Sequence, residues 1–476
     1  MKKILISLLL VVVMLANIFA MVSCDNTEKT PQKVTYDVPE VGYDGSEVTI
    51  TFYHTMSATK LQPVLELYIE EFNKLYPNIH VEHSAIGSYD DVRDQIKTQL
   101  TAGNQPNIAY CYPDHVALYN VAKAVVPLDN FINSQIEVTD ALGNTTILGY
   151  TDEQKADFIQ GYYNEGACFD AAGTMYTLPL SKSTEALYYN KTFFEENGLS
   201  VPTTWDEMEA VCKKILEIDP DCIPLGYDSE NNWFITMCEQ YGSGYTSLDA
   251  DEHFTFDNET NREFVKKFRE WHQKGYVTTE TIYGSYTSGL FTATEGQNCY
   301  MVIGSTGGAS YQTPPSVDGK PLFETAMATP PQVNPESPKV ISQGPSLCIF
   351  KDDNPQEVVA SWLFVKFLTT CVEFQAEFSM ASGYAPVIRS VQENEIYSNW
   401  LNSANGYNNL TAMSVKLALE QEQAYFVSPA FNGSSKARDE VGKLMADFFV
   451  NTESDINAVL DRLFKRAIQE CEYAAD

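Results

Sequence analysis

Apolar and polar positions near the start of the folded part repeat with the periods of strands and helices. Apolar residues alternate with polar ones over 48–52, which is typical of a strand with one buried face. Over 61–75 they recur every three or four positions, as in an amphipathic helix that ends before Pro77. A strand over 78–85, a helix over 89–100 and a strand over 106–112 follow, so the pattern predicts a βαβαβ unit.

The ends of these predicted strands are where a ligand site is expected. Strands joined by crossover helices run parallel, and ligands on such sheets bind beyond the carboxyl ends of the strands. The residues at those ends are Tyr53, His54, Tyr89, Tyr112 and Asp114. We therefore predict that these five contribute to a binding site on the first part of the chain.

The middle of the chain contains the most regular local pattern. Residues 176–180 and 185–189 are extended in character and flank the polar segment 181–184, which predicts a strand, a turn and a second strand. Further on, Thr204 and Glu207 have the spacing of a capping box, and an apolar face follows them at helical period. A helix beginning there is the best-specified element of the sequence.

The first 45 residues have the pattern of an export leader and a linker. Lys2 and Lys3 precede an apolar run over 4–22, and a small residue then precedes Cys24. This predicts a lipoprotein signal peptide over 1–23, lipidation of Cys24 and a flexible tether over 24–45. The alternative is an uncleaved membrane anchor, because the run is nearly long enough to span a bilayer. Both interpretations place the folded part outside the cytoplasm.

The net charge bears on the partners of the protein, and its length bears on the number of lobes. The formal net charge of −33 disfavours nucleic acid and anionic lipid as partners. A chain of 476 residues is too long for one core, so two lobes are expected. We expect a monomer without cofactor.

Cysteine and histidine give no sign of a metal. Ten cysteines less Cys24 leave an odd number, and several lie in apolar runs as core thiols do. A disulfide between Cys212 and Cys222 is an open alternative. His80 and His83 have an odd offset in a strand and point to opposite faces, so they cannot share an ion.

Three motifs together resemble the family 1 extracellular solute-binding proteins of ABC importers. They are Leu-Pro-x-Ser-x-Ser-Thr-x-x-Leu-Tyr-Tyr-Asn-Lys over 178–191, Gly-Leu-x-x-Pro-x-Thr-Trp-Asp-Glu over 198–207, and Gly-Tyr-x-Pro over 383–386. Within that family the chain is similar to the branch of sugar-binding and glycerol-3-phosphate-binding lipoproteins.

The resemblance implies an α/β protein with the two-lobed, type II periplasmic-binding-protein-like fold. Each lobe would be a mainly parallel sheet flanked by helices, and strands would cross between the lobes at a hinge. The expected lobes are 46–157 plus 301–368 and 176–300 plus 369–476.

The resemblance also implies ligand-binding residues in the second half of the chain. Tyr89, Ser183 and Trp233 match ligand-contacting positions of the glycerol-phosphate-binding relatives. The full set that joins the strand-end residues is Ser183, Thr184, Trp233, Ser305, Gly307, Tyr384 and Phe431. Trp233 is expected to stack on the ligand.

The function that the resemblance implies is capture of a carbohydrate, either a mono- or oligosaccharide or a polyol, and its delivery to a membrane permease. One alternative is a glycerol-3-phosphate or glycerophosphodiester binding protein. Another is a secreted glycan-active enzyme, because the many carboxylates allow catalytic pairs. In the phosphate-binding relatives an arginine in a loop near the carboxyl end binds the anion. The residue at the corresponding position of this chain is Phe431. A neutral sugar is therefore favoured, unless Lys182 or Arg389 supplies a replacement cation.

Overall fold

The computed structural model describes residues 31–249 and 252–475. The predicted signal peptide and Cys24 lie outside the described residues. From Val34 onward the chain forms one compact unit, and residues 31–33, which belong to a separate unit, have no regular secondary structure. Within the described part, no helix combines the length and apolar composition that a membrane span requires.

Strands and helices alternate through most of the chain. The strands are β1 (Val48–His54), β2 (Ile79–Ala85), β3 (Ile108–Cys111), β4 (Glu137–Thr139), β5 (Thr145–Ile147), β6 (Leu178–Pro179), β7 (Glu185–Asn190), β8 (Ile223–Tyr227), β9 (Val277–Thr279), β10 (Cys299–Ser305), β11 (Ser316–Val317), β12 (Lys320–Pro321), β13 (Thr325–Ala328), β14 (Val340–Ile341), β15 (Ser346–Ile349) and β16 (Tyr425–Phe426). The α-helices are α1 (Gln62–Leu75), α2 (Tyr89–Ala102), α3 (Pro113–Asn120), α4 (Asp129–Ile132), α5 (Asp152–Asp157), α6 (Gln160–Asn164), α7 (Lys191–Glu196), α8 (Trp205–Ile218), α9 (Glu230–Tyr241), α10 (Glu259–Gln273), α11 (Glu280–Tyr283), α12 (Ser288–Phe291), α13 (Pro355–Thr370), α14 (Val372–Ser382), α15 (Glu395–Asn402), α16 (Leu410–Glu420), α17 (Ser434–Val450) and α18 (Ile456–Ala475).

The first sheet contains the predicted βαβαβ unit. Its strand order is β2-β1-β3-β15-β6, with β1 parallel to both β2 and β3. Strand β15 runs antiparallel to β3 and to β6. Helix α2 begins at a capping box of Ser88 and Asp91 and ends at Gly103 in the left-handed conformation, which a glycine adopts without strain. The parallel unit is thus confirmed.

The second sheet has the order β13-β7-β10-β8-β9. Strand β7 is antiparallel to β10 and β13, whereas β8 is parallel to β10 and β9. The predicted capping box of Thr204 and Glu207 is present in full and begins α8. The sheet and its helices enclose a second apolar core that is separate from the core of the first sheet.

The segment 181–184 is a crossover between the two sheets rather than a turn within one. Strand β6, before it, lies in the first sheet, and β7, after it, lies in the second. Lys182 and Ala385 exchange main-chain hydrogen bonds of 3.0 and 2.6 Å, and Ser183 and Gln343 exchange bonds of 2.9 and 2.8 Å. The hydrogen bonds of 181–184 therefore go to two distant segments of the chain, which corrects the predicted strand-turn-strand.

The boundaries of the two lobes differ from those expected. The segment 301–368 was assigned to the first lobe, but β10 and β13 pair in the second sheet. In the segment 369–476, apolar residues as far as Ala418 pack into the first core, and those from Phe426 to Cys471 pack into the second. Each sheet thus draws on more separate stretches of chain than the motifs indicate.

The described end of the predicted tether packs on the folded unit. The ring of Tyr36 stacks on Phe131 with centroids 5.8 Å apart, and the main-chain amide of Asp44 donates to Gln356 Oε1 at 3.0 Å. Tyr43 also packs against the first core. From Val34 to Gly45 the prediction of a free tether is therefore wrong, because its aromatic residues are covered by the first lobe.

Cysteine chemistry is simple in the described chain. All nine cysteines there are free thiols, and seven of them are buried. The interpretation as core thiols is confirmed for those seven, and no bond joins Cys212 to Cys222.

Candidate functional site

A cavity of about 70 Å³ lies between the end of β3 and the start of α17. It is bounded by elements of both lobes and by the crossing segment before β15. Its lining residues are Tyr112, Pro113, Asp114, Glu165, Ile235, Tyr245, Ile341, Ser342, Gln343, Val427, Ser428, Pro429, Ala430, Ser434 and Arg438. The volume holds a few water molecules but no sugar ring, so the two walls are close together in this conformation.

The first lobe contributes the residues at the end of β3. Pro113 occupies the first position of α3, where its missing N–H costs no hydrogen bond. Tyr112 is thereby placed at the helix start and Asp114 in the first turn. Both line the cavity, as expected for residues beyond the carboxyl end of a parallel strand.

Three of the predicted tyrosines form one cluster beside this cavity. The rings of Tyr89 and Tyr112 have centroids 4.6 Å apart. Tyr384 lies close enough to Tyr89 for each phenol to affect the pKa of the other. Burial, followed by the charge of the neighbouring tyrosine Tyr384, raises the pKa of Tyr89 well above its usual value, so its hydroxyl keeps its proton.

The glycine turn after β10 closes on the same cluster. A Cβ on Gly307 would lie 2.7 Å from the ring of Tyr384, so only glycine allows this approach. The main-chain amide of Gly307 donates to Ser305 Oγ at 3.2 Å, and Ser305 Oγ donates to Ser183 Oγ at 3.3 Å. The structure thus brings Ser183, Ser305, Gly307 and the tyrosines into one continuous group.

Three other predicted residues have structural partners. His54 is fully buried and bonds His83 through ring nitrogens 2.9 Å apart, and burial lowers its pKa to about 4. Tyr53 accepts a bond from Gln99 at 3.1 Å. Thr184 is fully buried and donates to the carbonyl of Ile341 at 2.8 Å. None of the three residues lines the cavity described above.

Trp233 lies in the core of the second lobe. Its side chain is 0% exposed, stacks on Tyr227 with centroids 4.6 Å apart and contacts Phe268 at 4.2 Å. Ser229 caps α9, so Trp233 lies one turn inside the helix. This corrects the expectation that the ring stacks on a ligand, because protein groups already cover it.

Phe431 also lies away from the cavity wall. Its ring stacks on His253 with centroids 4.2 Å apart and contacts Phe254 at 5.6 Å. The neighbouring Ala430 lines the cavity instead. The expectation that Phe431 offers a face to a sugar is therefore wrong in this conformation.

The two cations proposed as replacements have other roles. Lys182 is fully buried and pairs with Glu165, with further bonds to the carbonyl of Gly344 at 3.3 Å and to Ser346 Oγ at 3.1 Å. Arg389 is on the surface and pairs with Glu422. Neither residue lines the cavity.

Arg438 is the cation that reaches the cavity, and the motifs gave no sign of it. It lies one helical turn after Ser434 in α17, so the two residues share a face that points to the cavity. Its guanidinium donates to the amide oxygen of Asn232. Tyr245 lines the same cavity and was also missed, because a single tyrosine between Gly244 and Thr246 follows no recognisable pattern.

Comparisons with known proteins agree with this architecture. The UgpB structure from Mycobacterium tuberculosis in complex with glycerophosphocholine superposes with a TM-score of 0.69 at 17% identity, over 90% of this chain and 99% of that one. The cyclic alpha-maltosyl-1,6-maltose binding protein from Arthrobacter globiformis gives a TM-score of 0.66 at 18% identity, over 90% and 100%. These likenesses show the two-lobed fold.

Sequence relatives cover different shares of the chain. The sn-glycerol-3-phosphate-binding periplasmic protein UgpB of Escherichia coli (strain K12) is 22% identical over 371 residues, which are 72% of this chain and 75% of that protein. The multiple sugar-binding protein of Streptococcus mutans is 27% identical over 169 residues, 36% of this chain and 34% of that protein. The match to the second relative thus spans about a third of its length.

The family model described as bacterial extracellular solute-binding protein matches residues 68–404. That range includes the second sheet, the first sheet except β1, the crossover 181–184 and the tyrosine cluster. The chain belongs to the bacterial extracellular solute-binding protein family.

Proposed function

We propose that this protein captures a carbohydrate in the cleft between its lobes and delivers it unaltered to an ABC permease in the cell membrane. The observation that carries the proposal is the cavity with the adjacent cluster of Tyr89, Tyr112 and Tyr384. Sugars present apolar faces to aromatic rings and hydroxyls to polar side chains. Asp114 and the serines of the cavity wall supply such polar partners.

The small cavity indicates how binding would work. A solute enters only when the walls separate, and the closed form then gains contacts on both lobes. Arg93 of α2 already bonds Ser435 of α17 at 3.3 Å across the cleft. Binding would shift the population toward this closed form in proportion to the better contacts made there.

The setting of the protein is part of the proposal. Lipidation of Cys24 would hold a monomer at the outer face of the cell membrane, where the permease recognises the closed form. The tether would be shorter than the sequence indicates, because the chain from Val34 onward lies on the folded unit. Membership of the family supports a role in binding rather than catalysis.

A thermal-shift screen of mono- and oligosaccharides, polyols and glycerol phosphates tests the proposal. A solute at 100 times its Kd adds about 2.7 kcal/mol to the free energy of unfolding and raises the Tm. We expect a carbohydrate to do so and to be recovered unchanged. Conversion of the solute would instead support a glycan-active enzyme.

The tyrosine cluster gives the screen a matched pair of variants. Tyr112→Ala should weaken binding of the solute found by more than about 1 kcal/mol, because it removes an aromatic contact in the cleft. Tyr473→Ala is the control, since that side chain is 84% exposed and does not line the cavity. Equal affinity of the two variants would remove the cluster from the binding site.

A further inference from the structure

The cavity is lined by a guanidinium that forms no direct ion pair with a carboxylate of the described residues. Arg438 donates to a neutral amide oxygen and, among residues 31–249 and 252–475, forms no ion pair. Five of the other six arginines pair with acids, and Arg269 donates to main-chain carbonyls. Among the described residues Arg438 thus has no direct ion-pair partner, although its charge opposes the rise in the pKa of Glu185 and the carboxyl groups of Asp114 and Glu165 line the same cavity. Glu165 already pairs with Lys182.

A chain of hydrogen bonds holds this guanidinium in place. Arg438 donates to Asn232 Oδ1, and both Asn232 and the charge of Arg438 oppose the rise that burial causes in the pKa of Glu185. Tyr227 donates its hydroxyl to Glu185 Oε2 at 2.7 Å. Because an amide lies between Arg438 and Glu185, the arginine is oriented without contacting the acid.

A second group in the same cavity also has no partner. The hydroxyl of Tyr245 is buried without a hydrogen bond among the described residues, although Tyr245 lines the cavity and is only 9% exposed. Gln343 Oε1 is likewise buried and unpaired. A buried polar atom without a partner is costly, so such atoms at a cavity indicate a bound group that supplies the missing bond.

We infer that the captured solute carries an oxyanion, either the carboxylate of a sugar acid or a phosphate ester, which binds Arg438 and accepts a hydrogen bond from the Tyr245 hydroxyl. The inference rests on the proposed function and names its substrate class. A guanidinium binds planar oxyanions through two parallel bonds. Asp114, which lines the cavity from the first lobe, would accept hydrogen bonds from the solute's hydroxyls. The earlier preference for a neutral sugar rested on position 431, and the cation is seven residues further on.

Calorimetry on the full chain at about 150 mM salt, where long-range attraction is screened, tests the inference with matched solutes. The pairs are galactose against galacturonate and glucose against glucose 6-phosphate, together with sn-glycerol-3-phosphate. We expect one acidic solute to bind at least about 30-fold more tightly than its neutral counterpart. Tight binding of galacturonate would identify the oxyanion as a carboxylate, and tight binding of either phosphorylated solute would identify it as a phosphate ester.

Arg438→Met should abolish the preference for the acidic member. Arg389→Met is the control and should keep it, because Arg389 pairs with Glu422 on the surface. Tyr245→Phe removes only an unpaired hydroxyl, so it should leave the Tm of the free protein unchanged or higher and weaken the acidic solute about tenfold. That opposite pair of effects separates a binding role from a structural one.

Two results would overturn the inference. If neutral sugars bind and none of the acidic solutes does, the inference that the solute carries an oxyanion is wrong, while the proposed function stands. The same holds if an acidic solute binds equally to the wild-type protein and to Arg438→Met. Binding of no carbohydrate, neutral or acidic, counts against the proposed function itself.

Discussion

Trp233 decides between two roles for an aromatic residue in a polar stretch. The ring is fully buried between Tyr227 and Phe268. Trp233→Ala should lower the free energy of unfolding by about 3–5 kcal/mol, as truncation of a buried tryptophan does. Solute affinity, measured where the variant is folded, should match that of Trp233→Phe, which fills most of the space. Normal stability with lost affinity would return Trp233 to the site.

Burial of the Glu185 carboxyl group makes the free energy of unfolding depend on pH. Burial raises its pKa from 4.5 to about 7, although bonds from Tyr227 and Asn232 oppose the rise. The folded state then binds the proton more tightly than the unfolded chain, so this residue's contribution to stability falls as pH rises from about 4.5 to 7.

Glu185→Gln should remove this pH dependence. Urea unfolding at pH 5 and pH 8 measures the free energy of unfolding of both proteins. The difference, variant minus wild type, should be more positive at pH 8 than at pH 5. A difference between the two proteins that stays constant across this range would show that the carboxylate is not destabilised by burial.

At the scale of elements, the crossover 181–184 depends on one buried ion pair. Lys182 and Glu165 are both almost fully buried, and Glu165 also accepts from Ser342 at 2.8 Å. Lys182→Met leaves the carboxylate without its partner and should cost about 3–5 kcal/mol. The double variant Lys182→Met with Glu165→Leu should recover most of that loss. Denaturant unfolding of the wild type, the two single variants and the double variant measures the coupling energy between Lys182 and Glu165. Losses that simply add in the double variant would contradict the prediction.

The same crossover shows where prediction from the sequence reaches its limit. The strands on either side were predicted correctly, since extended character and β-branched or aromatic content are local properties. Their pairing partners are more than a hundred residues away, in β15 and β10. Nothing local to Ser181–Thr184 separates a hairpin turn from a crossover, so the topology followed only from tertiary structure.

At the scale of the whole molecule, the fold was more predictable than the site. The parallel first unit follows from alternation, and its strand ends placed Tyr112 and Asp114 at the cavity. Arg438 and Tyr245 reach that cavity from the second lobe, on a helix near the carboxyl end and on a loop. Their positions depend on how the two lobes pack, which periodicity does not encode.

The two-lobed architecture gives the binding account its physical basis. Two cores flank a small cavity, and the segments at 181–184, 341–346 and 419–425 connect them. Closure around a solute therefore requires a change in a few crossing segments while each core keeps its packing. The family provides the role, and the lining residues provide the chemistry.

The most direct measurement is a calorimetric titration of the full chain with the solute that raises its Tm most, followed by chromatography of that solute. The account predicts saturable binding of one solute per chain and recovery of the solute unchanged after prolonged incubation. Consumption of the solute, or heat that never saturates, would contradict the central claim that this protein captures a carbohydrate and releases it intact.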